Sequence, residues 1–299
     1  MSIVSYLELS RISGIFTAIS NVLLGYVLSY GGVEIEVQSL LSLVAVTSLL
    51  YCGGMALNDF FDYRSDITEH PRRVIPSGRI KRANAGIFGF SVLIVACIVA
   101  SFSGITSIVT AALISVLIII YNKFSKTILI VGALNMAAIR FFNVILGSSS
   151  TSIALGLEHF WFAEEIFAAP NLIILGALAV FMFVFGITMI SRKEHSPLRS
   201  ITVAPFVLIA AVIAYVLTLH SIGELPNHYI GIFIIAFAFL SLLPYIRKDA
   251  KVEQLVGSFV ISITLLDAAL IAGTGQIFFA FLVALLYIPS FTLSWLIKV

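Results

Sequence analysis

The sequence is poor in the residues from which many soluble sites are built. It has two cysteines and five histidines in 299 residues, and only 11% of its residues are charged. Cys52 and Cys97 fall in or near apolar runs, where a thiol packs as a small hydrophobe. Neither a disulfide framework nor a thiolate metal site is indicated. His159, His220 and His228 fall far along the chain from the aspartates at 59–66 and form no metal-ligand pattern. Seventeen basic residues against fifteen acidic ones leave a formal net charge of +2, and nucleic-acid binding finds no support. No long linker or soluble domain interrupts the chain, which reads as one domain over residues 1–299. Near the N-terminus, Leu7-Glu-Leu-Ser-Arg11 leads straight into an apolar run, without a cleavable signal pattern.

What the chain has in excess is apolar surface. Hydrophobic residues make up 60% of it and the mean hydropathy is +1.12, more than a soluble chain of this length can hide. The fold class is therefore all-α, a polytopic integral membrane helical bundle of nine or ten transmembrane helices. The spans fall at roughly 12–30, 37–57, 84–102, 105–120, 127–147, 170–190, 201–220, 229–245, 255–272 and 277–297. With ten spans, the segments on one side carry the Lys and Arg residues, from Arg64 to Lys298, with Arg11 at the mouth of the first span. Those on the other side carry Glu34, Glu36, Glu158, Glu164, Glu165 and Glu224. The positive-inside rule then puts both termini on the cytosolic side of the cell membrane. The segment from Ser148 to Pro170, with Phe160-Trp161-Phe162, has the composition of an interfacial segment at the headgroup level.

Against this background, Asn58 to Asp66 reads N-D-F-F-D-Y-R-S-D, and a basic loop follows at once, His70-Pro-Arg-Arg-Val-Ile-Pro-Ser-Gly-Arg-Ile-Lys-Arg82. If the second span continues as a helix, Asp59, Asp62 and Asp66 lie at i, i+3 and i+7, with Asn58 four residues before Asp62. All four then share one face. Hard oxygen donors so placed suit Mg²⁺, which usually completes its octahedron with water and substrate phosphate. A solvated helix end would leave these carboxylates to repel one another at a membrane boundary. Arg72 and Arg73 would reach phosphate oxygens, while Pro71, Pro76 and Gly78 keep the loop irregular.

The two stretches together resemble the first signature of the UbiA superfamily of intramembrane prenyltransferases, N-D-x-x-D-x-x-x-D followed by R-P-x-R-P-I-P-S-G. Here His70 stands where the family usually has Arg, and Val74 where it usually has Pro. Tyr121-Asn122-Lys123 falls where family members carry a Tyr and a basic residue before the fifth span. The second signature departs: typical members have D-x-x-x-D after the sixth span, and this chain has Ser191-Arg192-Lys193-Glu194-His195. That pattern, with Asn135-Met136, Arg140-x-x-Asn143 and Leu266-Asp267-Ala268-Ala269, is similar to the EboC-like branch of the superfamily.

The resemblance implies a Mg²⁺-dependent prenyltransferase working in the membrane on a prenyl diphosphate donor and a small-molecule or lipid acceptor. It implies Asn58, Asp59, Asp62 and Asp66 as metal ligands at the cytosolic mouth, with Glu194 as a further catalytic carboxylate. Diphosphate would be held by Arg72, Arg73, Lys123, Arg192 and Lys193, with Tyr121 nearby. Arg192 and Lys193 would replace part of a second metal's charge, although positive-inside bias explains the same two residues. A rival acceptor is a glycerol phosphate lipid receiving a geranylgeranyl chain. Outside the enzyme class, the rival is a lipid-binding or transport relative.

Within the spans, Arg140 and Asp267 both lie about thirteen residues from the cytosolic end, near a depth of ~20 Å. Intramembrane charges face the interior and are usually paired or functional. Two readings follow: Arg140 and Asp267 meet as a buried pair that closes the cavity floor, or Arg140 binds the acceptor with Asn143 beside it. Asn21, with Thr17 one turn before it, either lines the cavity or bonds a neighbouring helix. No strong general base is visible in the spans. The 24 phenylalanines suit walls around an isoprenoid chain.

Overall fold

The computed structural model describes residues 3–29, 36–150, 172–192, 203–246 and 250–296. Most of the expected interfacial segment, together with Lys193 and Glu194, lies outside the described residues. Among the described residues the regular structure is helical: α1 (Ile3–Leu9), α2 (Ile15–Ser29), α3 (Val37–Glu69), α4 (Arg82–Ala100), α5 (Ile105–Lys123), α6 (Leu129–Ser148), α7 (Leu172–Ser191), α8 (Ala204–Ser221), α9 (Ile230–Leu242), α10 (Val252–Gly273), α11 (Ile277–Leu285) and α12 (Tyr287–Leu296). Nine helical segments among them are long and apolar enough to cross a membrane, and Ile230–Ile246 is a shorter apolar helix. The chain is a multi-pass membrane protein, and the span expected at 229–245, the eighth of ten, corresponds to that short helix.

Apolar side chains cover the outside of the bundle. Ile94, Ile98, Phe239 and Phe278 are each at least 60% exposed. An aqueous surface would not carry so continuous an apolar coat, whereas lipid tails solvate it without cost. The last span is two helices rather than one, broken between Leu285 and Tyr287. Pro289 accounts for the break, because its ring excludes the carbonyl four residues back and it has no N–H to donate.

Sequential helices pack as neighbours, and α10 returns to pack against α2, which closes the bundle. One apolar core joins α2 and α6 to α7 through α11, and a second lies among α2, α3, α4, α5 and α6. The helix pair common to both is α2 and α6, which cross at glycines. A Cβ on Gly25 would lie 1.8 Å from the Val144 carbonyl oxygen, and one on Gly147 would lie 2.1 Å from that of Val22. Only hydrogen at both positions lets the backbones approach this closely. The crossing brings Thr17, Ala18 and Asn21 of α2 against Arg140 and Asn143 of α6.

Helix α3 continues twelve residues past the apolar run expected to span, so the acid cluster is helical to Glu69. It stops where Pro71 forces His70 out of the helical region, at φ −135° and ψ 59°. The loop beyond is packed, with Val74, Ile75 and Ile80 buried against Leu9 of α1, Ala56 of α3 and Ala85 of α4. Gly78 turns the chain at φ 77°, a conformation that suits glycine. Arg79 ties the loop down by donating to Ser77 Oγ and the Arg72 carbonyl and by pairing with Glu8.

Candidate active site

Asp59, Asp62 and Asp66 of α3 lie within an arc of roughly 60° around the helix, and a different cation holds each of them. Arg11 Nη2 sits 2.7 Å from Asp59 Oδ1, and Arg73 Nη1 sits 2.6 Å from Asp66 Oδ1. Lys126 Nζ pairs with Asp62 and also donates to Asn58 Oδ1 at 3.4 Å. Asp59 and Asp66 are buried, whereas Asp62 is partly open. Three bases on three separate elements thus converge on one helix face, which explains how the acids remain together without mutual repulsion.

Two of these bases correct the sequence reading. Lys123 has its ammonium 4.9 Å from the Phe124 ring, whereas Lys126 is the lysine paired with Asp62. The irregular turn between α5 and α6, with a short 3₁₀ segment at Ser125–Thr127, decides which lysine faces inward. Spacing along the sequence does not reveal that choice. Arg11 was read only as a mouth residue. Its backbone is left-handed at φ 43°, the one positive φ outside glycine among the described residues, and this directs its guanidinium onto Asp59.

Arg73 is engaged with Asp66, whereas the Arg72 side chain is exposed at the loop surface. Arg192 Nη2 donates to the Lys126 carbonyl at 2.5 Å, which draws the end of α7 to the start of α6. Among the described residues, no three His, Cys, Asp or Glu groups form a ready-made metal cage. The donor set nevertheless suits a hard cation. Asn58, Asp62 and Asp66 offer oxygens on one face, and buried Asp66 Oδ2 has no hydrogen-bond partner.

Below the acids lies a cavity of about 240 Å³ between α2, α3, α5 and α6. Asn58 and Arg11 stand at one end, and Thr47, Asn143 and Arg140 at the other. The eleven residues of α3 between Asn58 and Thr47 make it about 16 Å long. Leu50, Met55, Ile114, Ile118, Met136 and Ile139 form apolar walls, and Tyr51, Tyr121 and Asn122 add polar groups. Tyr51 Oη donates to the Arg11 carbonyl at 3.3 Å. Gly14 makes this possible, since a Cβ there would lie 2.1 Å from that hydroxyl oxygen.

At the far end the direct Arg140–Asp267 pair is not formed. Arg140 Nη1 donates to Asn21 Oδ1 at 3.2 Å and Nη2 donates to Thr17 Oγ1 at 3.1 Å. Asp267 Oδ2 accepts from Asn21 Nδ2 at 2.8 Å and from Ser20 Oγ at 2.6 Å. Helix α2 stands between α6 and α10, and its Asn21 bridges the two charged groups. Asn21 is fully buried, is not among the residues lining the cavity, and bonds to neighbouring helices on both sides. Asn143 does reach the cavity wall, but its amide is committed within the protein. Its oxygen accepts from Thr47 Oγ1 and its nitrogen donates to the Ala18 carbonyl, both at 2.8 Å. Asn143 thereby joins α6 to α2 and α3 while lining the cavity.

The arrangement has counterparts among known proteins. The model of the UbiA prenyltransferase family matches residues 18–192. A digeranylgeranylglyceryl phosphate synthase of Sulfurisphaera tokodaii is 30% identical over 137 residues, which is 46% of this chain and 49% of that protein. One from Methanococcus maripaludis strain C6 is 34% identical over 139 residues, again 46% and 49%. The chain thus spans about half the length of the curated relatives it matches. A solved UbiA homologue of Archaeoglobus fulgidus, bound to DMAPP and Mg²⁺, superposes with a TM-score of 0.62 at 14% identity, covering 91% of this chain and 99% of that one.

Proposed function

This chain belongs to the UbiA prenyltransferase family, and on that premise we propose that it transfers a prenyl group from a prenyl diphosphate to an acceptor nucleophile within the membrane, with Mg²⁺ as cofactor. The observation that carries the reading is the mouth of the cavity: three carboxylates and three bases gathered above an apolar chamber. A non-catalytic lipid carrier would have no use for so dense a polar cluster.

Asn58, Asp62 and Asp66 would hold Mg²⁺, with Asp59 fixed beside them by Arg11. When bound, Mg²⁺ neutralises charge on the departing diphosphate. Lys126, Arg73 and Arg192 supply charge-assisted hydrogen bonds to the same oxygens, at the place where negative charge develops. The bond between the allylic carbon and the diphosphate oxygen breaks, and the leaving group keeps the electron pair. The acceptor then bonds to that carbon and loses its proton. At about 240 Å³ the chamber is smaller than the ~300–1,000 Å³ of typical ligand pockets. It accommodates reacting head groups, and a long isoprenoid tail would continue along the lipid-facing helices.

For the acceptor, the named relatives support a glycerol phosphate lipid. The small chamber favours a second reading, a compact aromatic or hydroxyl-bearing acceptor. In either case the mouth would face the cytosol, the side to which the basic loops assign it.

Purified protein in nanodiscs, offered geranyl, farnesyl and geranylgeranyl diphosphates with lipid and metabolite extracts, would decide by mass spectrometry. Prenylated product and released diphosphate that both vanish with EDTA and in Asp62→Ala support the reading. No turnover, with donor bound equally by wild type and Asp62→Ala, sinks it.

A further inference from the structure

The inner end of the cavity holds a cation whose compensating charge is elsewhere. Arg140 lines the chamber and is partly exposed, although it lies about eleven residues into a membrane-spanning helix. Its surface therefore opens inward. Asp267 is wholly buried and absent from the cavity lining. A guanidinium has five N–H groups, and two neutral oxygens, those of Thr17 and Asn21, take one bond each from Arg140.

This is an unusual way to keep a charge in a membrane. Were Arg140 present only to stabilise the bundle, a direct bidentate pair with Asp267 would serve best, because separated charges in a poorly polarisable interior lose attraction. Instead, Asp267, itself held by Ser20, accepts from the Asn21 amide nitrogen and so turns the carboxamide oxygen toward Arg140. The guanidinium is thereby held by neutral partners and still presents a cationic edge to the chamber. Apart from Arg11 at the mouth, the other side chains that line the chamber with Arg140 are neutral.

We propose that Arg140 is an oxyanion-binding subsite for the acceptor, with Thr17 and Asn21 as its positioning residues and Asp267 acting through Asn21. The acceptor carries a carboxylate or phosphate that docks on Arg140, and its nucleophilic atom is thereby placed toward the mouth where the allylic carbon arrives. Neutral analogues of the same shape bind poorly, because they leave the guanidinium without an anion in an environment that does not solvate it. The inference rests on the prenyl-transfer reading for the identity of the ligand as an acceptor, but binding can be measured without turnover.

The test is calorimetry on the full chain in nanodiscs, using matched acid and neutral probes. Benzoate against benzamide reads a compact carboxylate. A glycerol phosphate monoether lipid against its dephosphorylated form reads a lipid phosphate. Wild type is expected to favour the acid of at least one pair by tenfold or more, and that pair names the source of the anion. Arg140→Gln is expected to abolish the preference, Arg140→Lys to restore part of it, and Mg²⁺-dependent binding of geranylgeranyl diphosphate to change less than twofold in both. Equal binding of acid and neutral partners by wild type, failure of both acids to bind, or a preference that persists in Arg140→Gln each overturns the proposal. The wild-type comparison stands even if a variant fails to fold. Failure of the prenyl-transfer reading would show separately, as donor binding indifferent to Asp62→Ala.

Discussion

Arg140 and Asp267 are joined through Asn21, whose carboxamide accepts from the guanidinium and donates to the carboxylate. Both charges lie inside a helical bundle, so the amide sets the distance between them. Its orientation is fixed as well, because reversing it would aim N–H at a cation and C=O at an anion.

Replacing this amide is therefore predicted to cost more than an ordinary buried polar substitution. Asn21→Leu strands both charges, and removing one partner from a buried ionic network costs about 3–5 kcal/mol. Thermal unfolding in detergent should show a large fall in Tm. Arg140→Met alone should fall similarly. Arg140→Met combined with Asp267→Leu should recover part of the loss, since neither charge then remains unpaired.

The two lysines of the turn between α5 and α6 should separate cleanly. Lys126 contacts Asp62 and Asn58, whereas Lys123 lies over Phe124. Lys126→Ala is expected to reduce diphosphate release by roughly tenfold or more, the range associated with losing a charge-assisted contact at a leaving group. Lys123→Ala should remain within about twofold of wild type in the same assay.

Glycines at two places should respond in opposite ways. A side chain at Gly25 would meet backbone atoms of Val144, so Gly25→Val should lose folded protein on size-exclusion chromatography. At Gly54, which lines the cavity, a Cβ would meet Ile118 at an ordinary 3.4 Å. Gly54→Ala should fold normally and raise KM for a bulky acceptor more than for a slim one.

The hydroxyl of Tyr51 occupies room that Gly14 leaves. Gly14→Ala is expected to push the ring toward the cavity and weaken acceptor binding. Adding Tyr51→Ala should restore binding if displacement of the ring is the cause. Acceptor titration of the single and double variants tests this.

Much of this architecture was legible in the chain itself, for reasons that also mark the limit. Spans were readable because lipid demands long apolar helices, and the shared face of Asn58, Asp59, Asp62 and Asp66 followed from helical periodicity. Partner identity was not readable. Periodicity tells where a side chain lies on its own helix, not which neighbour stands opposite. That is why Lys123 was favoured over Lys126, and why α2 was not seen between Arg140 and Asp267. The pairing of Arg11 with Asp59 was unreadable for a different reason: a left-handed backbone at an arginine is a tertiary outcome with no local sequence mark.

Helix α3 has 33 residues, about 50 Å at 1.5 Å per residue, against a hydrocarbon layer of roughly 30 Å. Counted from Val37, the first carboxylate comes about 33 Å along, where oil gives way to headgroups. The helix thus works as a depth gauge. On the proposed reading, a donor's diphosphate would stay at headgroup level while its prenyl chain lies in the hydrocarbon layer.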